Sequence, residues 1–114
     1  MFKYNAKVIR VVDGDTVDAM IDLGFDTWKK VRIRLVGINA PESRTRDLEE
    51  KKRGLAAKAR LKELLEEGEN KFILESQGVG KYGRCLGVIH LNDATAQSIL
   101  INEGHGVPYF GGKR

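Results

Sequence analysis

A chain of 114 residues, 41% hydrophobic and 32% charged, has room for one modest core, so residues 1–114 are expected to form a single domain. That composition excludes a disordered chain, no apolar run is long enough to span a bilayer, and the only cysteine, Cys85, excludes an internal disulfide and a cysteine-built zinc site. The net charge of +4 is unevenly spread: residues 13 to 26 carry five aspartates, whereas 29 to 34 (KKVRIR) and 44 to 60 are rich in Lys and Arg, a balance that attracts polyanions.

Met1 leads almost directly into a strand over residues 3 to 12, with no n-region or h-region, so nothing points to export and a cytoplasmic location is expected. In VVDGDTV (11 to 17), Asp13-Gly14 reads as a hairpin turn, because glycine tolerates the positive φ of tight turns. Residues 15 to 23 alternate, with Val17, Ala19, Ile21 and Leu23 on one face and Asp18, Met20 and Asp22 on the other. By the same parity Asp15 falls on the apolar side, a costly place for a carboxylate without a partner. A third strand covers 28 to 37, where Val31, Ile33 and Leu35 alternate with Lys30, Arg32 and Arg34.

The period then changes. Ala57, Leu61, Leu64 and Leu65 follow helical spacing, and Gly68 suits the C′ position. Asp47 with Glu50 can cap a helix, but Gly54 argues for a start near Leu55, leaving 43 to 53 as a mobile charged loop. Residues 70 to 75 and 84 to 92 read as strands around a glycine-rich connection, and 95 to 103 as a short helix before Gly104. The predicted class is α+β, mainly β. The order β-β-β-α-β-β-α suits a five-stranded OB-type barrel with two helices.

GVGKYG (78 to 83) matches a dinucleotide fingerprint in letters only, since its glycines lead into a strand instead of opening a helix. It reads as a hairpin loop presenting Lys81, Tyr82 and Arg84. His90 and His105 are isolated and do not make a zinc site. Ser43 and Ser98 lack an adjacent histidine, Trp28 reads as packing, and Lys58, Arg60 and Lys62 read as a solvated helix face. In RIRLVGINAPE (32 to 42), Pro41 biases Ala40 toward extended backbone, which can turn its carbonyl outward between Asn39 and Glu42. A hard cation such as Ca²⁺ takes about 6 to 8 oxygen ligands. Asp15, Asn39 and the Ala40 carbonyl can supply such a set, with Glu42 held near a bound water. An ordinary polar turn is the other reading of the same residues.

VDGDTV, then RLVGINAPE after one strand, then KYGR after a helix and a strand, resemble the staphylococcal nuclease (thermonuclease) family in order and spacing over nearly the whole chain. The resemblance implies an OB barrel and a Ca²⁺-dependent phosphodiesterase that cuts DNA and RNA with little sequence preference. It further implies Asp15 as the metal carboxylate, Asn39 and Ala40 as further metal positions, and Arg34 and Arg84 as phosphate clamps. Glu42 would activate or orient the attacking water, and Lys81 and Tyr82 would contact the nucleotide. Well-known members carry a second metal aspartate followed by threonine where this chain has Asn39 and Ala40, so one negative charge is missing. The sequence also stops at GGKR, without the long C-terminal helix of longer members. The alternative expectation is a catalytically weak OB-fold nucleic-acid-binding module. Nothing points to a membrane or a protein partner, and a monomer or weak dimer is expected.

Overall fold

The computed structural model describes residues 2–79 and 84–109; Lys81 and Tyr82 lie outside the described residues. Three strands follow one another as a meander: β1 (Phe2–Asp13), β2 (Thr16–Asp22) and β3 (Trp28–Leu35). After the short β4 (Gly37–Asn39) come α1 (Leu48–Glu67), β5 (Lys71–Val79), β6 (Cys85–His90), α2 (Ala96–Asn102) and β7 (Val107–Tyr109). Five strands close a barrel in the order β1-β2-β3-β6-β5, with β1 pairing back onto β5. Only β3 and β6 run parallel; the remaining neighbours in the barrel are antiparallel. The mainly β, five-stranded OB-type architecture with two helices is therefore as predicted. No helix among the described residues is long and apolar enough to cross a membrane.

Alternation explains the barrel wall. Val17, Ala19 and Ile21 of β2 and Ile33 and Leu35 of β3 point inward and are buried, while Lys30 and Arg32 point out. Leu23, expected on the inner face, lies past the end of β2 and is exposed. Leu61, Leu64 and Leu65 of α1 and Leu100 of α2 join the same core as the barrel's Leu74 and Ile89. The pair β4–β7 is an addition that the sequence did not announce: three residues on each side, with Ile38 opposite Pro108. It folds the segment after β3 back over one end of the barrel.

Three local expectations change. Helix α1 begins at Leu48, not near Leu55, because Asp47 accepts hydrogen bonds from the backbone N–H groups of Glu49 (3.0 Å) and Glu50 (3.3 Å). Residues 48 to 53, expected as loop, are its first turns. At the other end Gly68 keeps an ordinary negative φ, and the left-handed residues are Glu69 and Asn70. Arg60, expected as a solvated residue, makes a two-pronged ion pair with Glu103 (2.6 and 2.9 Å) that ties α1 to the end of α2. That bond holds the Glu103 carboxyl below its usual range.

Candidate active site

The site forms at the end of the barrel where the β1–β2 turn meets the segment after β4. Gly14 does not have positive φ, so the turn does not need it for that reason. It is needed for space: a Cβ there would stand 2.7 Å from the Ala57 Cβ and 3.0 Å from the Ala40 Cβ. The turn is wedged between α1 and the segment that follows β4. Asp13, on the rim of this turn, accepts hydrogen bonds from the backbone N–H (3.3 Å) and the hydroxyl of buried Ser43. The residue beside Ser43 is Glu42. Gly54 completes the seat, because a Cβ there would collide with the Glu42 carbonyl and lie 2.7 Å from the Ser43 nitrogen. A glycine inside a helix costs roughly 1 kcal/mol against alanine. Here it lets the helix touch the backbone that carries Glu42.

Asp15 is buried, as parity predicted, but it precedes β2 and its carboxylate faces the cleft instead of the apolar interior. Oδ1 accepts from the Thr16 hydroxyl (3.1 Å) and Oδ2 from the Ala40 N–H (3.0 Å), which offsets the cost of burying the charge. Arg34 approaches the same oxygen at 3.5 Å with Nη2, while Nη1 donates to the carbonyls of Leu35 and Ile38 (3.0 Å for the latter). A small cleft of about 130 Å³ gathers Asp15, Thr16, Arg34, Pro41, Glu42 and Arg84. Glu42 is exposed at its mouth, and the Arg84 Nε is buried with no hydrogen-bond partner among the described residues. Two larger depressions exist, of about 460 and 470 Å³, and neither contains this set of charges.

Of the residues singled out from the sequence, Asp15, Arg34, Ala40, Glu42 and Arg84 thus meet in one cleft. Asn39 does not line it. It lines the adjoining depression with Arg53 and His105, its Oδ1 buried and without a donor among the described residues, and Ala40 and Pro41 form the ridge between the two hollows. Toward Asp15, Ala40 presents its N–H. Lys81 and Tyr82 fall outside the described residues. Sequence reasoning missed Asp13, Ser43 and Gly54 as the mount for Glu42. It also missed Gln97, whose amide donates to the Val36 and Gly87 carbonyls (3.1 Å each) and accepts from the Ile89 N–H (3.3 Å). Gln97 locks the corner after β3 onto β6, and so fixes Arg34 relative to Arg84. A polar residue in a short helix carries no sequence signal of that task.

The donors around the cleft are oxygens of carboxylate and amide type, which suits a hard cation in kind. No group of three or more His, Cys, Asp or Glu side chains able to hold a metal exists among the described residues. Asp15 and Glu42 therefore fit such an ion only where phosphate and water oxygens complete its shell.

The fold is a five-stranded OB-type barrel with a carboxylate-and-arginine cleft at one end. The chain belongs to the staphylococcal nuclease family: residues 32–113 match the family described as staphylococcal nuclease homologue. It is similar to Protein ParB of Escherichia coli, 33% identical over 86 residues, covering 75% of this chain and 41% of that protein. An uncharacterized protein of Bacillus anthracis is 29% identical over 103 residues, covering 89% of this chain and 45% of its own length. An uncharacterized endonuclease of Escherichia coli O157:H7 is 50% identical over 40 residues, or 35% of this chain and 23% of that protein. The chain thus spans less than half the length of these relatives.

Proposed function

We propose that this domain hydrolyses phosphodiester bonds of DNA and RNA with little sequence preference, using a hard divalent cation, Ca²⁺ by preference. The observation that carries the reading is the buried Arg84 Nε, with no hydrogen-bond partner among the described residues, in a cleft that also holds Arg34, Asp15 and Glu42. A buried guanidinium donor without a partner is costly unless an anion meets it. Family membership and the likeness to an uncharacterized endonuclease support the same reading.

In this reading Asp15 would hold the cation, with phosphate and water oxygens completing its shell, since Asn39 lines the neighbouring hollow and Ala40 turns its N–H toward Asp15. A cation held there would supply charge neutralisation of the phosphate and a lowered pKa for a nearby water. Glu42, exposed at the mouth and held by the Asp13–Ser43 bonds, takes or steers the proton of the attacking water. Arg34 is fixed on one side by two backbone carbonyls and offers Nη2 to the phosphate oxygens; Arg84 offers its Nε. Forked, permanently charged donors suit the crowded negative charge of a five-coordinate phosphorus better than an ammonium does. Lys81 and Tyr82, on the β5–β6 connection, contact the nucleotide, with bases stacking on Tyr82 irrespective of identity.

The position of Asn39 favours one second reading, a catalytically weak nucleic-acid-binding module, because the residue that the resemblance gives as a second metal position lies outside the cleft. One assay separates them: denatured plasmid DNA and RNA with Ca²⁺, Mg²⁺ or chelator, for the parent and Glu42→Gln. The nuclease reading expects cleavage with Ca²⁺, none with chelator, and a fall of about 10² to 10⁴ in turnover for the variant. Full activity in excess EDTA sinks the metal, and an unaffected Glu42→Gln sinks the base. Binding without cleavage under every ion gives the second reading.

A further inference from the structure

The cleft is the first rung of a ladder. Pairing across β1, β2 and β3 sets Asp13 opposite Thr16 and Thr16 opposite Arg34, the rung that the cleft uses. The next rung on the same face is Arg10–Asp18–Arg32, and the one after it is Lys7–Met20–Lys30. Successive rungs are three residues apart along β1 and two apart along β2 and β3, about 7 Å. That is comparable to the phosphate repeat of an extended single strand.

Two irregularities in β1 produce this alignment. Ile9 and Val12 are extra residues in the pairing, between Val8 and Arg10 and between Val11 and Asp13. With an unbroken register from Lys7, Ile9 would oppose Asp18 and Arg10 would turn to the other face. The first bulge re-aims Arg10, and the second brings Asp13 opposite Thr16. Bulges are a recognised way to redirect a side chain beside a functional site.

The second rung is already built. Asp18 is buried on the outer wall of the barrel, and Arg32 grips it with Nε at 2.8 Å and Nη2 at 3.1 Å. Arg10 stands 3.5 Å away. Arg32 and Arg10 are nonetheless exposed, and Arg32 has five N–H donors of which the grip on Asp18 uses only part. Lys30 and Lys7 are also exposed; Lys7 lies 4.8 Å over the Trp28 ring. Each of these two rungs is net positive, unlike the cleft rung, where the charge of Asp13 balances that of Arg34.

From this alignment we infer that Arg10, Arg32, Lys7 and Lys30 form a track for the phosphates of one nucleic-acid strand, running from the cleft along the outer face of β1–β3, with Asp18 as the positioning residue of its arginines. The inference rests on the nucleic-acid reading above and extends it to residues outside the cleft. A guanidinium already fixed by a buried carboxylate loses less side-chain freedom on meeting a phosphate.

The test is binding of fluorescein-labelled oligothymidylates, a trinucleotide and a dodecanucleotide, by anisotropy in chelator across a salt series. In the parent the longer strand should bind tighter. Arg10→Gln and Lys30→Gln leave the Arg32–Asp18 pair intact and so avoid exposing a buried charge. Each should weaken the dodecanucleotide more than the trinucleotide and flatten its salt slope by about 0.7, the value of one phosphate contact in a single strand. Unchanged slopes in both variants overturn the track, as does a parent that binds both lengths equally. Cleavage is scored separately. Variants that lose long-strand affinity in a protein that cuts nothing support the track and sink the nuclease reading. Normal cutting with unchanged binding sinks the track alone.

Discussion

Asp15 and Asp18 stand three residues apart, both buried and each beside an arginine of β3, yet their surroundings differ in kind. Asp18 is closed: Arg32 holds it in a two-pronged grip and Arg10 stands close by. The Arg32 hydrogen bonds, helped by the charges of Arg32, Arg10 and Lys30, hold its carboxyl below the usual aspartate range. Asp15 is propped by uncharged donors, the Thr16 hydroxyl and the Ala40 N–H, while Arg34 comes only to 3.5 Å and turns Nη1 to backbone carbonyls. A completed pair satisfies itself. A carboxylate and a guanidinium held apart by scaffolding keep part of their charge for a third party, which the proposed function makes a phosphate and its cation.

The largest effect should come from breaking each aspartate in turn. Asp15→Asn keeps the shape and the Thr16 contact, but turnover should fall about 10²-fold or more, since a correctly held cation supplies several kcal/mol. Asp18→Asn should differ in kind, losing stability and long-strand affinity, with a much smaller fall in turnover on a trinucleotide. Turnover on that substrate and urea denaturation of both variants decide the matter. Equal losses of turnover would mean that the two carboxylates do the same work.

A step smaller is the seat of Glu42. Gly54→Ala gains roughly 1 kcal/mol of helix propensity. The new methyl must displace the Glu42 and Ser43 backbone, and forced overpacking costs about 1 to 3 kcal/mol. The variant should therefore be less stable on balance. Turnover should drop about 10- to 10²-fold, because small misplacements of a catalytic group are costly. A variant that melts higher and cuts normally would show that the helix does not set the position of Glu42.

Gly54 also shows where the sequence stops being legible. Alternation along 15 to 23 and 28 to 37 is a direct trace of which side chains face the core, so the barrel wall and the outward Lys30, Arg32 and Arg34 were readable. Local propensity at Gly54 pointed to a later helix start, but a tertiary contact decided otherwise. The bulges at Ile9 and Val12 were unreadable for a related reason: one extra residue changes parity only relative to a partner strand. Asp13 read as a turn residue, and its bonds to Ser43 close across 30 positions of sequence. At the site, motif letters brought Asp15, Arg34, Glu42 and Arg84 together, but they could not tell that Asn39 lines the neighbouring hollow.

Asn39 supplies the next test, on the order of tenfold. If its side chain contributes to the cation, Asn39→Asp should tighten Ca²⁺ by about 1.4 kcal/mol, a factor of ten. Its Oδ1 is buried without a donor among the described residues, so a carboxylate there should cost the metal-free protein stability. Added Ca²⁺ should then raise the melting temperature more in the variant than in the parent. Calorimetric titration reads it directly: an unchanged or weaker dissociation constant would put residue 39 outside the metal's reach.

The smallest effect concerns acid, and it returns to Asp18. Its folded-state pKa is depressed, chiefly by the Arg32 hydrogen bond, while in the unfolded chain it titrates near 4. The sign follows: the stabilisation is fully present above the unfolded value and is lost as pH falls toward and through the folded one. Asp18→Asn has nothing to lose over that window. The parent should therefore exceed the variant in stability at pH 6, by about 1 kcal/mol given that Arg32 is partly solvated, and the gap should close as pH falls below about 4. Urea midpoints for both proteins at pH 6 and pH 3 measure it. A gap that stays constant with pH would mean that Asp18 stabilises the barrel by its shape and hydrogen-bonding pattern, with no part for its charge.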